Sequence, residues 1–146
     1  MTQEERTLLH IDLSERVPYD TVLRVRGLVT SNEEFGDAYL DTVSWYEEVS
    51  VRDGSRISYD IADVRPYLRP LSSMTEEEQR ALKEEQLKDE KLFAECLTKC
   101  KNGDGSMRGK VIPHFAADWC DKNHFDYRGL IPKGLALEAK EGMYKN

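Results

Sequence analysis

Near its C-terminal end, from His124 to Leu137, the chain places Phe125, Tyr127, Leu130, Ile131, Leu135 and Leu137 within fourteen residues. Gly129, Pro132 and Gly134 interrupt them, and neither a helical nor a strand period survives for long. Terminal segments are usually frayed and polar. An apolar one gains free energy by leaving water. These residues are therefore expected to be docked on the body of the protein or held ready for a partner.

The rest of the sequence bounds that body. A chain of 146 residues suits one domain, or one domain with an appendage. Charged residues make up 34% and apolar residues 39%, on the polar side of globular usage but short of wholesale disorder. The net charge of −7 is uneven. Residues 1–72 carry eight Arg, no Lys and fourteen acids, whereas residues 101–146 carry eight bases and six acids. Nucleic-acid binding works through Lys/Arg counterion release, so the acidic body disfavours it and only the mildly basic C-terminal third leaves room for it. The opening residues lack a basic region followed by an apolar run, and no stretch approaches the roughly 18 apolar residues of a membrane helix. The expectation is a cytoplasmic protein with no membrane partner and reduced thiols.

Periodicity sets the elements. Leu9, Leu13 and Val17 lie one helical turn apart, with Asp12 or Ser14 as a cap and Pro18 as the stop. Leu23 and Val25 alternate with Arg24 and Arg26 as in a half-buried strand. Residues 30–38 read as a polar loop. Val43, Trp45, Val49 and Val51 share the parity of one strand face. Asp53-Gly54 supplies a turn, and Ile57, Tyr59 and Ile61 alternate after it. Pro66 and Pro70 favour an extended crossing over a helix. Thr75 and Glu78 form a capping box that opens a long helix to about Lys99, with Glu84–Lys88 as a support pair and Asp89 interrupting its apolar stripe. Asn102 to Ser106 reads as a turn, and Pro113 as the start of a shorter helix carrying Phe115 and Trp119. The expected fold is α+β. Residues 8–71 give a small antiparallel sheet of three or four strands, curled or open, with a short helix. Residues 75–144 give a long helix, a short helix and a docked tail, integrated with the first part or separate from it.

Chemistry-bearing patterns are sparse. Cys96 and Cys100 lie four apart, followed by His114, Cys120 and His124, which are zinc-ligand types. Cysteines on a helix stripe also behave as small core hydrophobes, so no metal is expected to be required. The stretch around Gly105 lacks the first and last carboxylates of a calcium loop. Cys120, with His114 or His124 and Asp118 or Asp121, offers the types of a nucleophilic site without the surrounding glycines of a nucleophile elbow. No dinucleotide or phosphate-loop fingerprint is present. No catalytic residue and no cofactor are assigned. Trp119, Phe125, Tyr127 and Arg128 are the residue types that dominate binding hot spots. The same types anchor cores.

Two blocks carry a resemblance. Val64-Arg65-Pro66-Tyr67-Leu68-Arg69-Pro70-Leu71-Ser72-Ser73-Met74-Thr75 is one; His124 to Ile131, continuing through Gly134 to Ala139 and Glu141 to Tyr144, is the other. Over most of residues 10–144 the chain resembles a family of small hypothetical proteins of Bacteroides-type gut bacteria and their phages and prophages. Pro132 and Lys140 depart from that pattern, which has an acid and a proline there. The resemblance implies a phage- or mobile-element-linked cytoplasmic role and names no activity, cofactor or site residue. The function expected is that of a non-enzymatic accessory protein acting through protein–protein contact. The alternatives are nucleic-acid binding through Lys101, Arg108, Lys110, Lys122 and Arg128, and a small hydrolase or zinc enzyme.

Overall fold

Thr2 opens the first helix. Its hydroxyl accepts from the Glu5 amide and the Glu5 carboxylate accepts from the Thr2 amide, both at 3.1 Å, so two orphan donors are satisfied at once. In this computed structural model the backbone is described for residues 1–101 and 114–144, without the side chains of residues 93 and 96–101. Helix α1 spans Gln3–Arg16 and gives way to a tight turn at Val17–Tyr19, where Pro18 sits. The helix thus starts earlier than the apolar spacing indicates. Asp12, expected as a cap, is instead buried in its interior. Leu9 and Leu13 point into the core, as one helical turn of separation requires.

The chain then builds a mostly antiparallel open sheet. Strands β1 (Val22–Arg26), β2 (Phe35–Val43), β3 (Glu48–Val51) and β4 (Ser58–Asp60) lie in the segment expected to form it. Strands β5 (Val64–Leu68) and β6 (Leu137–Glu138) extend it, in the spatial order β4-β3-β2-β1-β5-β6. All pairings are antiparallel except β5 with β6. The fold is α+β. Part of the stretch expected as a polar loop is the first half of β2. Gly36 permits this, because a Cβ there would lie 2.7 Å from Leu28 Cδ2 and 2.8 Å from Ser31 Cβ. The proline crossing is a strand. The Leu68 carbonyl accepts from the Ala139 amide at 2.8 Å, so alternation turns the position of the missing Pro66 N–H toward β6, which is paired only from Tyr67 onward.

The core gathers Leu9 and Leu13 of α1, Leu23 and Val25 of β1, Leu40 of β2 and Val49 of β3. Leu130, Leu135 and Ala136 from the C-terminal segment join them. The chain divides into two compact units accordingly. The first is Met1–Ser73 with Asp121–Asn146, and the second is Met74–Cys120. This corrects the grouping of the tail with the helices. Its leucines fill the interior beneath the sheet, and β6 adds its two residues to the sheet itself.

In the second unit, α2 (Glu76–Lys101) begins with the expected box: Glu78 N donates to Thr75 Oγ1 at 3.2 Å and Thr75 N to Glu78 Oε1 at 3.1 Å. Lys88 pairs with Glu85 at 3.0 Å, not with Glu84. Asp89 does more than interrupt a stripe. Its carboxylate accepts from the Phe115 and Ala116 amides at 2.7 and 2.9 Å, and so caps α3 (Phe115–Lys122) from the other helix. The expected turn at 102–106 and the helix start at Pro113 lie outside the described residues. Among the described residues, no helix is long and apolar enough to cross a membrane.

Candidate interaction site

Between β2 and β3 the chain turns through Ser44, Trp45, Tyr46 and Glu47. Ser44 organises the turn. Its amide donates to the Glu48 carbonyl at 2.9 Å, its carbonyl accepts from the Glu47 amide at 3.2 Å, and its hydroxyl accepts from the Tyr46 and Glu48 amides at 3.3 Å each. Glu47 adopts a left-handed conformation at φ 60°. Such a backbone is unusual for a residue with a Cβ and persists where its surroundings impose it.

Here the imposing groups are identifiable. The Arg6 guanidinium holds the Glu47 carboxylate on one side and forks onto both oxygens of Asp60 at 3.0 and 3.2 Å. Gln3 Nε2 donates to Glu47 at 3.2 Å, and the Glu47 backbone carbonyl accepts from Ile61 N at 3.0 Å. His10 Nε2 lies 2.9 Å from the Ser44 carbonyl. Helix α1 thereby clamps the turn at three points. The Arg6 hydrogen bonds hold the Glu47 and Asp60 carboxyls below their usual range, Asp60 with help from the Ala62 amide.

What the clamped turn presents is apolar. Trp45 is 93% exposed and Tyr46 86% exposed. Beside them runs a groove of about 450 Å³, lined by His10, Ile11, Ser14, Val43 and Trp45, with Glu15 as its one carboxylate. Ile11, 47% exposed, contributes a second apolar surface. Trp45, expected on a strand face with Val43, Val49 and Val51, is therefore at the turn's tip, while Val49 and Val51 are buried.

The residues expected as an interaction surface sit elsewhere. Phe125 is fully buried. Tyr127 and Arg128 are part-buried and engaged in a charged cluster beneath the tail. Arg16 bonds Asp12 with Nε and Nη2 at 2.8 and 3.0 Å, and Nη2 also donates to the Phe125 carbonyl at 2.8 Å. Arg128 Nη1 donates to Asp12 at 2.7 Å and to Asp121 at 3.3 Å, and the Tyr127 hydroxyl donates to Asp121 at 3.2 Å. Burial draws the Asp121 carboxyl up against the pull of both arginines. These side chains fasten the tail: Phe125 is corrected from surface to interior, while Tyr127 and Arg128 are part-buried in the cluster. Trp119 is partly buried in α3.

The zinc-ligand types are dispersed in their environments: Cys120 is buried, His114 is exposed, and the side chains of Cys96 and Cys100 lie outside the described residues. Of the residues weighed for nucleic acid, Lys122 is exposed and Arg128 is held by Asp12. Arg108, Lys110 and the Lys101 side chain lie outside the described residues.

His124 takes a structural part. At φ 64° and 9% exposed, it stacks on Tyr144 with ring centroids 3.7 Å apart. The Tyr144 hydroxyl donates to the Tyr67 carbonyl at 2.7 Å and accepts from the Val22 amide at 3.0 Å. Burial, with Arg16 and Arg69 adding to it, lowers the His124 pKa from 6.5 to about 4, and its Nδ1 has no hydrogen-bond partner among the described residues. The folded protein therefore binds this proton later than the unfolded chain does. Stability is retained above pH 6.5 and falls as pH drops from about 6.5 toward 4, by up to about 3 kcal/mol. Urea melts across this range should show the decline, and His124→Asn, which tolerates the left-handed backbone, should flatten it. An unchanged slope in that variant would refute the assignment.

Compared with protein-family models, curated proteins and solved structures, the chain matches none, and its functional reading rests on this geometry.

Proposed function

We propose that the protein is a non-enzymatic accessory protein that docks a protein partner on the Trp45–Tyr46 turn and the groove beside it. The observation that carries the reading is the near-complete exposure of two adjacent aromatics on a turn clamped by Arg6, His10 and Ser44. Leaving large side chains in water forgoes about 2–3 kcal/mol each. Trp and Tyr lead the residue types that supply binding energy. A turn held in place beforehand loses less conformational freedom on association. The resemblance noted above would put this partner in a phage or mobile-element setting.

The test is the double variant Trp45→Ser, Tyr46→Ser. Both side chains are in water, so its unfolding free energy should stay within about 0.5 kcal/mol of the parent. Proteins retained by the parent from a native-host lysate should be lost by the variant. Capture of the same set by both proteins, with equal melting temperatures, would refute the reading.

A further inference from the structure

The exposed face of α1 beside the turn has a defined charge order. Glu4, Leu8, Ile11 and Glu15 follow the spacing of a single helical stripe, falling within about 60° of one another at 100° per residue. Glu4 and Glu15 are exposed, Ile11 is half-exposed, and Leu8 is partly buried against the core. The stripe is therefore apolar in its middle and acidic at both ends, and Trp45 walls the groove beside Ile11. Eleven residues at 1.5 Å per residue set these two helix positions about 16 Å apart along the axis, with Glu15 lining the groove and Glu4 beyond its lining. No lysine occurs in residues 1–73, and Arg6, the arginine of this helix nearest the turn, is already neutralised by Glu47 and Asp60. Among the described residues, no lysine or arginine lines the groove to answer Glu15.

We infer that the occupant of this groove is a peptide segment of a partner protein that places an apolar anchor between two cationic side chains about 16 Å apart. The inference deepens the docking reading and rests on it. The anchor fills the space between Ile11, Val43 and Trp45, and the flanking Lys or Arg meet Glu4 and Glu15. An arginine at the turn side can also stack on the indole face of Trp45, which attracts cations. The same charge order argues against other occupants. A second copy of this chain would bring glutamates against glutamates in a two-fold contact, and nucleic acid or an anionic membrane would meet like charge.

The experiment is selection of a displayed library of random 16-residue peptides on the full chain, with parallel selection on Trp45→Ser, Tyr46→Ser. Enriched peptides should carry Lys or Arg on both sides of a Leu, Ile, Met or aromatic residue. Their affinity, followed by Trp emission as the indole leaves water, should fall at least about 10-fold between 50 and 500 mM salt, as expected for screened exposed charges. Glu4→Lys, Glu15→Lys should lose these peptides and enrich acidic ones. Enrichment of acidic or uncharged peptides that still require Trp45 and Tyr46 would overturn the inference and leave the docking reading standing. Equal enrichment on both proteins, or none on either, would overturn both. So would sedimentation that shows a dimer in the parent and a monomer in the serine variant, which would make the occupant a second copy.

Discussion

A chain ending at Arg128 will show no cooperative thermal transition by circular dichroism. The truncation removes Leu130 and Leu135, which are 0% and 2% exposed, together with Ala136 and strand β6. Emptying a buried leucine site costs about 2–5 kcal/mol. Two such sites, the β5–β6 pairing and the Tyr144 anchor on Tyr67 and Val22 together approach the whole stability of an ordinary domain, about 5–15 kcal/mol. The cut also leaves Asp126 without the Leu130 and Ile131 amides that donate to its carboxylate at 2.8 and 2.9 Å. A truncated chain that melts as a sigmoid within a few degrees of the parent would show that the tail is an ornament and that the sheet closes without it.

Arg16→Met is the second large effect. Arg16 and Asp12 are wholly buried, and the methionine keeps most of the volume while deleting the charge. Asp12 then keeps its bond to Arg128, and the Phe125 carbonyl loses the Arg16 Nη2 donor. Removing one member of a buried ion pair typically costs about 3–5 kcal/mol, because the remaining charge stays in a poor solvent. For a chain of this length that lowers Tm by on the order of 10–15 °C. Arg16 Nη1 is buried without a hydrogen-bond partner among the described residues, which already detracts from the pair. A loss under about 1 kcal/mol, read from urea midpoints, would mean that this cost offsets the pairing and that the cluster sets geometry more than stability.

Much of the fold was legible where the pattern is local. The alternation of Leu23 and Val25 and the Thr75–Glu78 box each specify their element without outside help, and the apolar tail marks that something must cover it. Trp45 shows how a period misleads. The turn Ser44–Glu47 has four residues, an even number, so parity passes through it unchanged and Val43, Val49 and Val51 still look like one face of one strand. The signal that separates them is Glu47, a charged group on the odd-numbered face that a continuous strand would keep buried. The Asp12–Arg16 pair misleads differently. Asp12 reads as a cap candidate, and partners 109 and 116 residues away, the Phe125 carbonyl and Arg128, enclose it with Arg16. Spacing along the chain carries no mark of that. Nor does it mark β6, whose two residues become a strand only because β5 is there to pair with. The candidate interaction site was obscured for a related reason. Residue types that suit hot spots also suit interiors, and which use prevails depends on the tertiary fold.

The division of the first unit into two chain stretches, residues 1–73 and 121–146, has a consequence for synthesis. On the ribosome, the sheet through β5 emerges first and must wait while all of the helical unit is translated. During that interval one flank of β5 lacks the strand that will seal it, and unpaired flanks of this kind recruit other chains. Slow decoding between residues 74 and 120 would prolong the interval in which Tyr67 and Leu68 lack their β6 partners.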